Sequence, residues 1–168
     1  MPTLKKILIS IILFFTFFNS DSYSEMVKKL EVKGNERVSV ETIAVFGDIS
    51  LGKNYEESDV NSLIKKLYDT TLFSNISVVI KNNILSITVE ENPIINSIVF
   101  EGEKAKKYKE KIRELLLLRE NSSFVENNIK SDINLIKDFY RSIGFYFVKI
   151  DVEIAKLEKN RINISYLI

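Results

Sequence analysis

The chain is written twice. Met26 to Glu36, MVKKLEVKGNE, superposes on Ile94 to Lys104, IINSIVFEGEK, with Leu30 on Ile98, Val32 on Phe100 and Gly34 on Gly102. Further along, Leu63 to Phe73, LIKKLYDTTLF, superposes on Leu135 to Phe145, LIKDFYRSIGF, in the same order and with one insertion between the two anchors. A chain that repeats itself in this way is built from like units stacked in tandem, and each unit should present one set of elements. The segment ENPIINSIVFEG, Glu91 to Gly102, is therefore a second beginning.

The apolar spacing gives those elements. In the first unit Leu30 and Val32 alternate with charged neighbours, as a half-buried strand does, and Gly34-Asn35 ends it. Ser39 can cap a short helix carrying Val40, Ile43 and Phe46, which Gly47 closes. A longer helix is predicted from Glu56 to Leu72, because Val60, Leu63, Ile64, Leu67 and Tyr68 fall on one stripe. Ile76, Val78 and Ile80, then Leu85, Ile87 and Val89, alternate on either side of Asn82-Asn83, which reads as a hairpin. The second unit repeats the order: a strand with Ile98 and Phe100, a helix around Lys104 to Leu118, a helix from about Val125 to Ile143 capped by Gly144, and a hairpin with its turn near Lys159-Asn160. The chain stops within an apolar strand, and on this reading it is a fragment of a longer polypeptide.

Residues 1–24 stand apart. Lys5 and Lys6 precede an apolar run from Ile7 to Phe18, and Ser22 and Ser24 supply small residues before Glu25. The run falls short of the roughly 20 residues that span a bilayer, so it is expected to be a secretory signal cleaved before Glu25, with an uncleaved anchor or a buried core helix as the alternative. Export of the remainder follows.

A βααββ unit repeated behind a signal peptide resembles the POTRA domain. Lys28 to Ile43, Val89 to Gly102 and Asp138 to Phe145 carry the resemblance, most specifically the junction with Glu91, Pro93, Ile95, Ile98, Phe100 and Gly102. Thr71 departs from it, standing where the family usually has glycine. The resemblance implies an α+β fold of two tandem modules, 25–91 and 92–168, each a three-stranded mixed sheet covered on one face by two helices. It implies a periplasmic arm of an outer-membrane β-barrel assembly factor, with the barrel itself absent from these residues. Unfolded outer-membrane proteins, periplasmic chaperones and accessory lipoproteins would be its partners, at the periplasmic face of the outer membrane. A two-partner secretion transporter, a related translocation factor or an FtsQ-like division protein would share the domain, and an unrelated periplasmic adaptor or enzyme subunit is the remaining class.

By the same resemblance the third strand of each unit is central, which leaves the second strand at an edge, about Asn75 to Lys81 and Phe147 to Leu157. Asn75, Ser77, Val79 and Lys81, with Lys149, Asp151 and Glu153, are the candidate client-binding edge. Tyr68 and Leu72 are expected to form a groove beside the first edge, which carries less charge and is the favoured one. Its open N–H is expected at Val79. Glu91, Asn92 and Pro93 are the expected hinge, short and only partly flexible because proline restricts its own φ and its predecessor.

Catalysis has little to work with. There is no histidine or cysteine, so imidazole chemistry, thiolate metal sites and disulfides are excluded. No phosphate loop, nucleophile triad or metal constellation is present, and no cofactor is expected. Glu90-Glu91 and Asp151/Glu153 are the nearest thing to paired carboxylates, and both read as solvated faces. The formal net charge of +1 gives no drive toward nucleic acid.

Overall fold

A computed structural model describes residues 25–168. The signal segment expected at 1–24 lies outside the described residues. The elements run β1 Glu25–Met26, β2 Lys29–Lys33, α1 Val40–Phe46, β3 Asn54–Tyr55, α2 Glu57–Asp69, β4 Phe73–Lys81, β5 Ile84–Glu91, β6 Ile94–Glu101, α3 Lys106–Leu115, α4 Asn127–Ser142, β7 Asp151–Leu157 and β8 Arg161–Leu167. Two three-stranded sheets result, ordered β2-β5-β4 and β6-β8-β7. In each, the last strand is central, parallel to the first and antiparallel to the second.

Each sheet has its own core. Ile43 of α1 and Leu63 and Leu67 of α2 bury against Leu85, Ile87 and Val89 of β5. Ile112 of α3 and Ile136 and Tyr140 of α4 bury against Ile162, Ile164 and Tyr166 of β8. No residue is shared between the two clusters. The glycines of the repeat have one steric task in common. Gly34 at φ +80° and Gly102 at φ +88° lie against the carbonyl oxygens of Val89 and Ile168, where a Cβ would overlap the backbone.

Several boundaries differ from the sequence reading. The helix expected over Lys104 to Leu118 ends at Leu115, and Leu118 is buried in the segment that follows. The strand expected from Phe147 begins at Asp151, whose pairing with Leu167 is the first of the ladder, and Phe147 and Lys149 precede it. The small β1–β3 ribbon, which buries Tyr55, carries too few residues for periodicity to reveal. Thr71, in place of the family's glycine, still adopts φ +60°, the left-handed conformation that Gly144 takes at φ +94° after α4. The helix terminus keeps its shape and a β-branched residue bears the strain.

Candidate functional site: two open edges and the junction between them

The open edges are decided by main-chain parity. Asn82 and Asn83, both at positive φ, make a two-residue turn, so Lys81 and Ile84 form a hydrogen-bonded pair. Ser77, Val79 and Lys81 thus turn their N–H and C=O groups toward β5, and Ile76, Val78 and Ile80 turn theirs outward. The Ile76 N–H confirms the parity by donating to the Tyr68 hydroxyl at 3.1 Å. The expectation that Val79 offers an outward N–H is therefore corrected. Its side chain is exposed with those of Asn75, Ser77 and Lys81, while its main chain is in the ladder.

The same logic holds in the second sheet. Ile94 N–H donates to Asn160 O and Ile168 N–H to Glu101 O, so even-numbered residues of β8 face β6 and odd-numbered ones face β7. Asp151 and Glu153 lie opposite Leu167 and Ser165 and are in the ladder, leaving Val152, Ile154 and Lys156 with outward main-chain groups. Lys149 lies before the strand and pairs with Asp151 at 2.6 Å.

Tyr68 and Leu72 do not form a groove together. Leu72 packs against the first core, and Tyr68 lays its hydroxyl on the strand edge. Tyr68 lines instead a cleft of about 830 Å³ between the two units, into which Phe73 and Ser74 of β4 and Ile154, Lys156 and Leu157 of β7 also open.

The floor of that cleft is the junction. Glu91 ends β5 and is only 5% exposed, so its reading as a solvated carboxylate is also corrected. Its Oε1 accepts from the N–H groups of Glu36, Arg37 and Val38, each at 2.9 Å, and Arg37 Nε lies 2.9 Å from Oε2 as an ion pair out of hydrogen-bond alignment. Burial alone would raise the pKa of this carboxyl. The three N–H donors, with Arg37, outweigh it and hold the group below the usual glutamate value. Arg37 also donates to Asn92 O at 2.7 Å, and Asn92 donates from its side chain to Thr71 O and from its N–H to Leu72 O, both at 2.8 Å. From the second unit, Asn160 Nδ2 donates to Glu91 O at 2.9 Å and Phe124 N–H to Pro93 O at 2.8 Å. The connection expected to act as a hinge is anchored on both sides, more than its short length and one proline imply.

Asp132 is a further residue the sequence reading missed. It is fully buried on α4, where it accepts from the N–H groups of Leu117 and Leu118 and from the Tyr166 hydroxyl. That satisfies it completely, and burial beside Asp132 pushes the Tyr166 phenol well up. Among the described residues no group of acidic side chains is arranged to hold a metal, and no helix is long and apolar enough to cross a membrane.

Comparison with known proteins agrees with this geometry. The POTRA family model, described as a surface antigen variable number repeat, matches residues 93–168. The outer membrane protein assembly factor BamA of Neorickettsia risticii is 24% identical over 149 residues, which cover 89% of this chain and 20% of that protein. The chain thus spans about a fifth of the length of this curated relative. Among solved structures, the N-terminal domain of Omp85 from Thermosynechococcus elongatus matches with a TM-score of 0.58 at 12% identity, over 87% of this chain and 63% of that one. POTRA1-2 of the periplasmic domain of Omp85 from Anabaena matches with a TM-score of 0.52 at 12% identity, over 87% of this chain and 96% of that one. Residues 93–168 are a POTRA domain, preceded by a second unit of the same βααββ arrangement, and the chain is homologous to the N-terminal part of BamA assembly factors.

Proposed function

We propose that this chain is the periplasmic arm of an outer-membrane β-barrel assembly factor, exported behind residues 1–24, with modules at 25–91 and 92–168. Each module adds a strand of unfolded outer-membrane polypeptide to its open sheet edge, and its other surfaces serve periplasmic chaperones and accessory lipoproteins. The observation that supports this is the row of outward main-chain groups on β4 and β7, which no described strand pairs. Such a row is a liability in an isolated protein and an asset in a receptor, because main-chain pairing reads extension rather than sequence. Of the two edges β7 is the more open, since Tyr68 already occupies the Ile76 N–H of β4.

The test is a titration of the 15N-labelled protein with a strand peptide from an outer-membrane barrel and with the same peptide N-methylated at alternate residues. Pairing predicts amide shifts along Val152 to Lys156 and a loss of affinity of tenfold or more in one of the two methylation registers. Equal binding by both registers would refute strand addition.

A further inference from the structure

Of the features that the proposed edge pairing leaves unexplained, Arg161 is the sharpest. It lines the cleft between the two units, its Nε is buried without a hydrogen-bond partner, and it enters no ion pair among the described residues. A guanidinium N–H withdrawn from water and given no acceptor is costly, and the fork geometry of the group is suited to a carboxylate. Within the cleft no carboxylate fills that role. Glu91 is committed to Arg37, and Glu90 and Glu126 are exposed and pair with neither Arg161 nor Lys156.

The surroundings fit an extended chain. Ile154 holds a core-side position on β7 yet is 43% exposed, and Leu157 is 41% exposed; both open into the cleft opposite Phe73. The outward main-chain groups of Ile154 and Lys156 lead into the same space. Backbone donors and acceptors, apolar side chains and an unclaimed cation meet within one cavity.

We propose that the cleft between the units binds an extended polypeptide segment carrying an aspartate or glutamate, whose carboxylate pairs with Arg161 while its main chain pairs with β7. Lys156, exposed and in no ion pair among the described residues, adds positive potential to the same cleft. The inference rests on strand addition as the mode of binding and supplies what main-chain pairing lacks, a preference among clients. A segment with the acid in register is held at the junction, and one without it is bound only by its backbone.

Two nine-residue peptides of alternating valine and threonine, one with a central aspartate and one with asparagine there, separate the possibilities. Titrated into the 15N-labelled protein, the aspartate peptide is expected to bind at least tenfold more tightly, shifting amides at Val152 to Lys156 and at Phe73. Arg161→Gln should bring its affinity down to that of the asparagine peptide, which should itself be unchanged, and Arg161→Lys should restore part of the difference. Equal affinities in the unaltered protein, or discrimination that survives Arg161→Gln, would overturn the assignment. Binding at β7 without discrimination overturns it while leaving strand addition intact; binding at neither edge refutes both. Concentration-dependent sedimentation with β7 shifts in the absence of peptide would make the occupant a second copy of the chain and overturn it as well. Should Arg161→Gln not fold, the two peptides on the unaltered protein and on Lys156→Gln still decide.

Discussion

Replacing Glu91 with alanine tests whether a single carboxylate ties the first unit together and holds the junction. The structure sets the size of the effect. Three N–H groups in the turn before α1 lose a charged acceptor at 2.9 Å, and Arg37 loses its partner. Hydrogen bonds to charged groups are worth about 1.5–3 kcal/mol each, and breaking a buried pair costs about 3–5 kcal/mol. Glu36 and Arg37 are exposed, so water recovers part of what is lost, and the lower end, about 3 kcal/mol, is expected. In a unit this small that lowers the thermal midpoint by roughly 12–24 °C. Glu91→Gln keeps an acceptor oxygen and gives up only the charge, so it should cost about half as much.

Urea denaturation followed by amide exchange reads the two units separately. Protection should fall in β2, β4 and β5 and persist in β6 and β8. The double variant with Arg37→Ala should cost less than the sum of the singles, since both act on one contact. A Glu91→Ala protein within about 0.5 kcal/mol of the parent, the range of ordinary surface substitutions, would show that the carboxylate is dispensable and the reasoning wrong.

Leu67→Ala, at a fully buried position of α2, should destabilise the first unit by about 2–5 kcal/mol and leave exchange in β6 and β8 unchanged; equal loss in both would mean one merged core. Thr71→Gly relieves a left-handed β-branched residue while keeping the carbonyl that Asn92 bonds, and should stabilise the first unit by about 1 kcal/mol in urea; a destabilised variant would contradict the strain. Because the Glu91 pKa is depressed on folding, its contribution is complete above the unfolded value of about 4.3 and is lost as pH falls through the folded one; the gap in stability between parent and Glu91→Gln should therefore close below about pH 4, and a gap independent of pH would contradict it. Tyr68→Phe frees the Ile76 N–H and should increase strand-peptide shifts along β4 relative to β7, visible in the same NMR titration.

What was legible in the sequence was whatever a local period encodes. Leu63 and Leu67 on a helical stripe, Leu85, Ile87 and Val89 on an alternating strand, and the turn at Asn82-Asn83 all stand where spacing put them. What escaped depends on partners distant in sequence. Glu91 looks like any strand-end acid until the N–H groups of Glu36 to Val38 are brought against it. Asp132 falls on the apolar stripe of α4 between Ile129 and Ile136, and that misplaced acid was the one signal available; its donors, Leu117, Leu118 and Tyr166, lie on other segments. The start of β7 was misjudged because alternation through Val148 and Ile150 marks residues that face the core, and a segment packed on the core ahead of the ladder shows it as well as a paired strand does. Which backbone groups lie open at β4 follows from turn length, and the sequence already held that fact in Asn82-Asn83; side-chain alternation alone pointed to the wrong residues.

The junction and the edges are mechanically one feature. Tyr68 sits at the end of α2, and within five residues the chain passes through the strained Thr71, whose carbonyl accepts from Asn92, and enters β4 at Phe73. Asn92 is in turn held by Arg37, which Glu91 pairs, and Asn160 at the β7–β8 turn reaches back to the Glu91 carbonyl. A strand added along β7 therefore ends on a turn bonded to the last residue of β5, the central strand whose other neighbour is β4. A displacement of the β7–β8 turn would therefore reach the floor of the cleft through the Asn160 side-chain bond to Glu91 O, with no need for either core to repack.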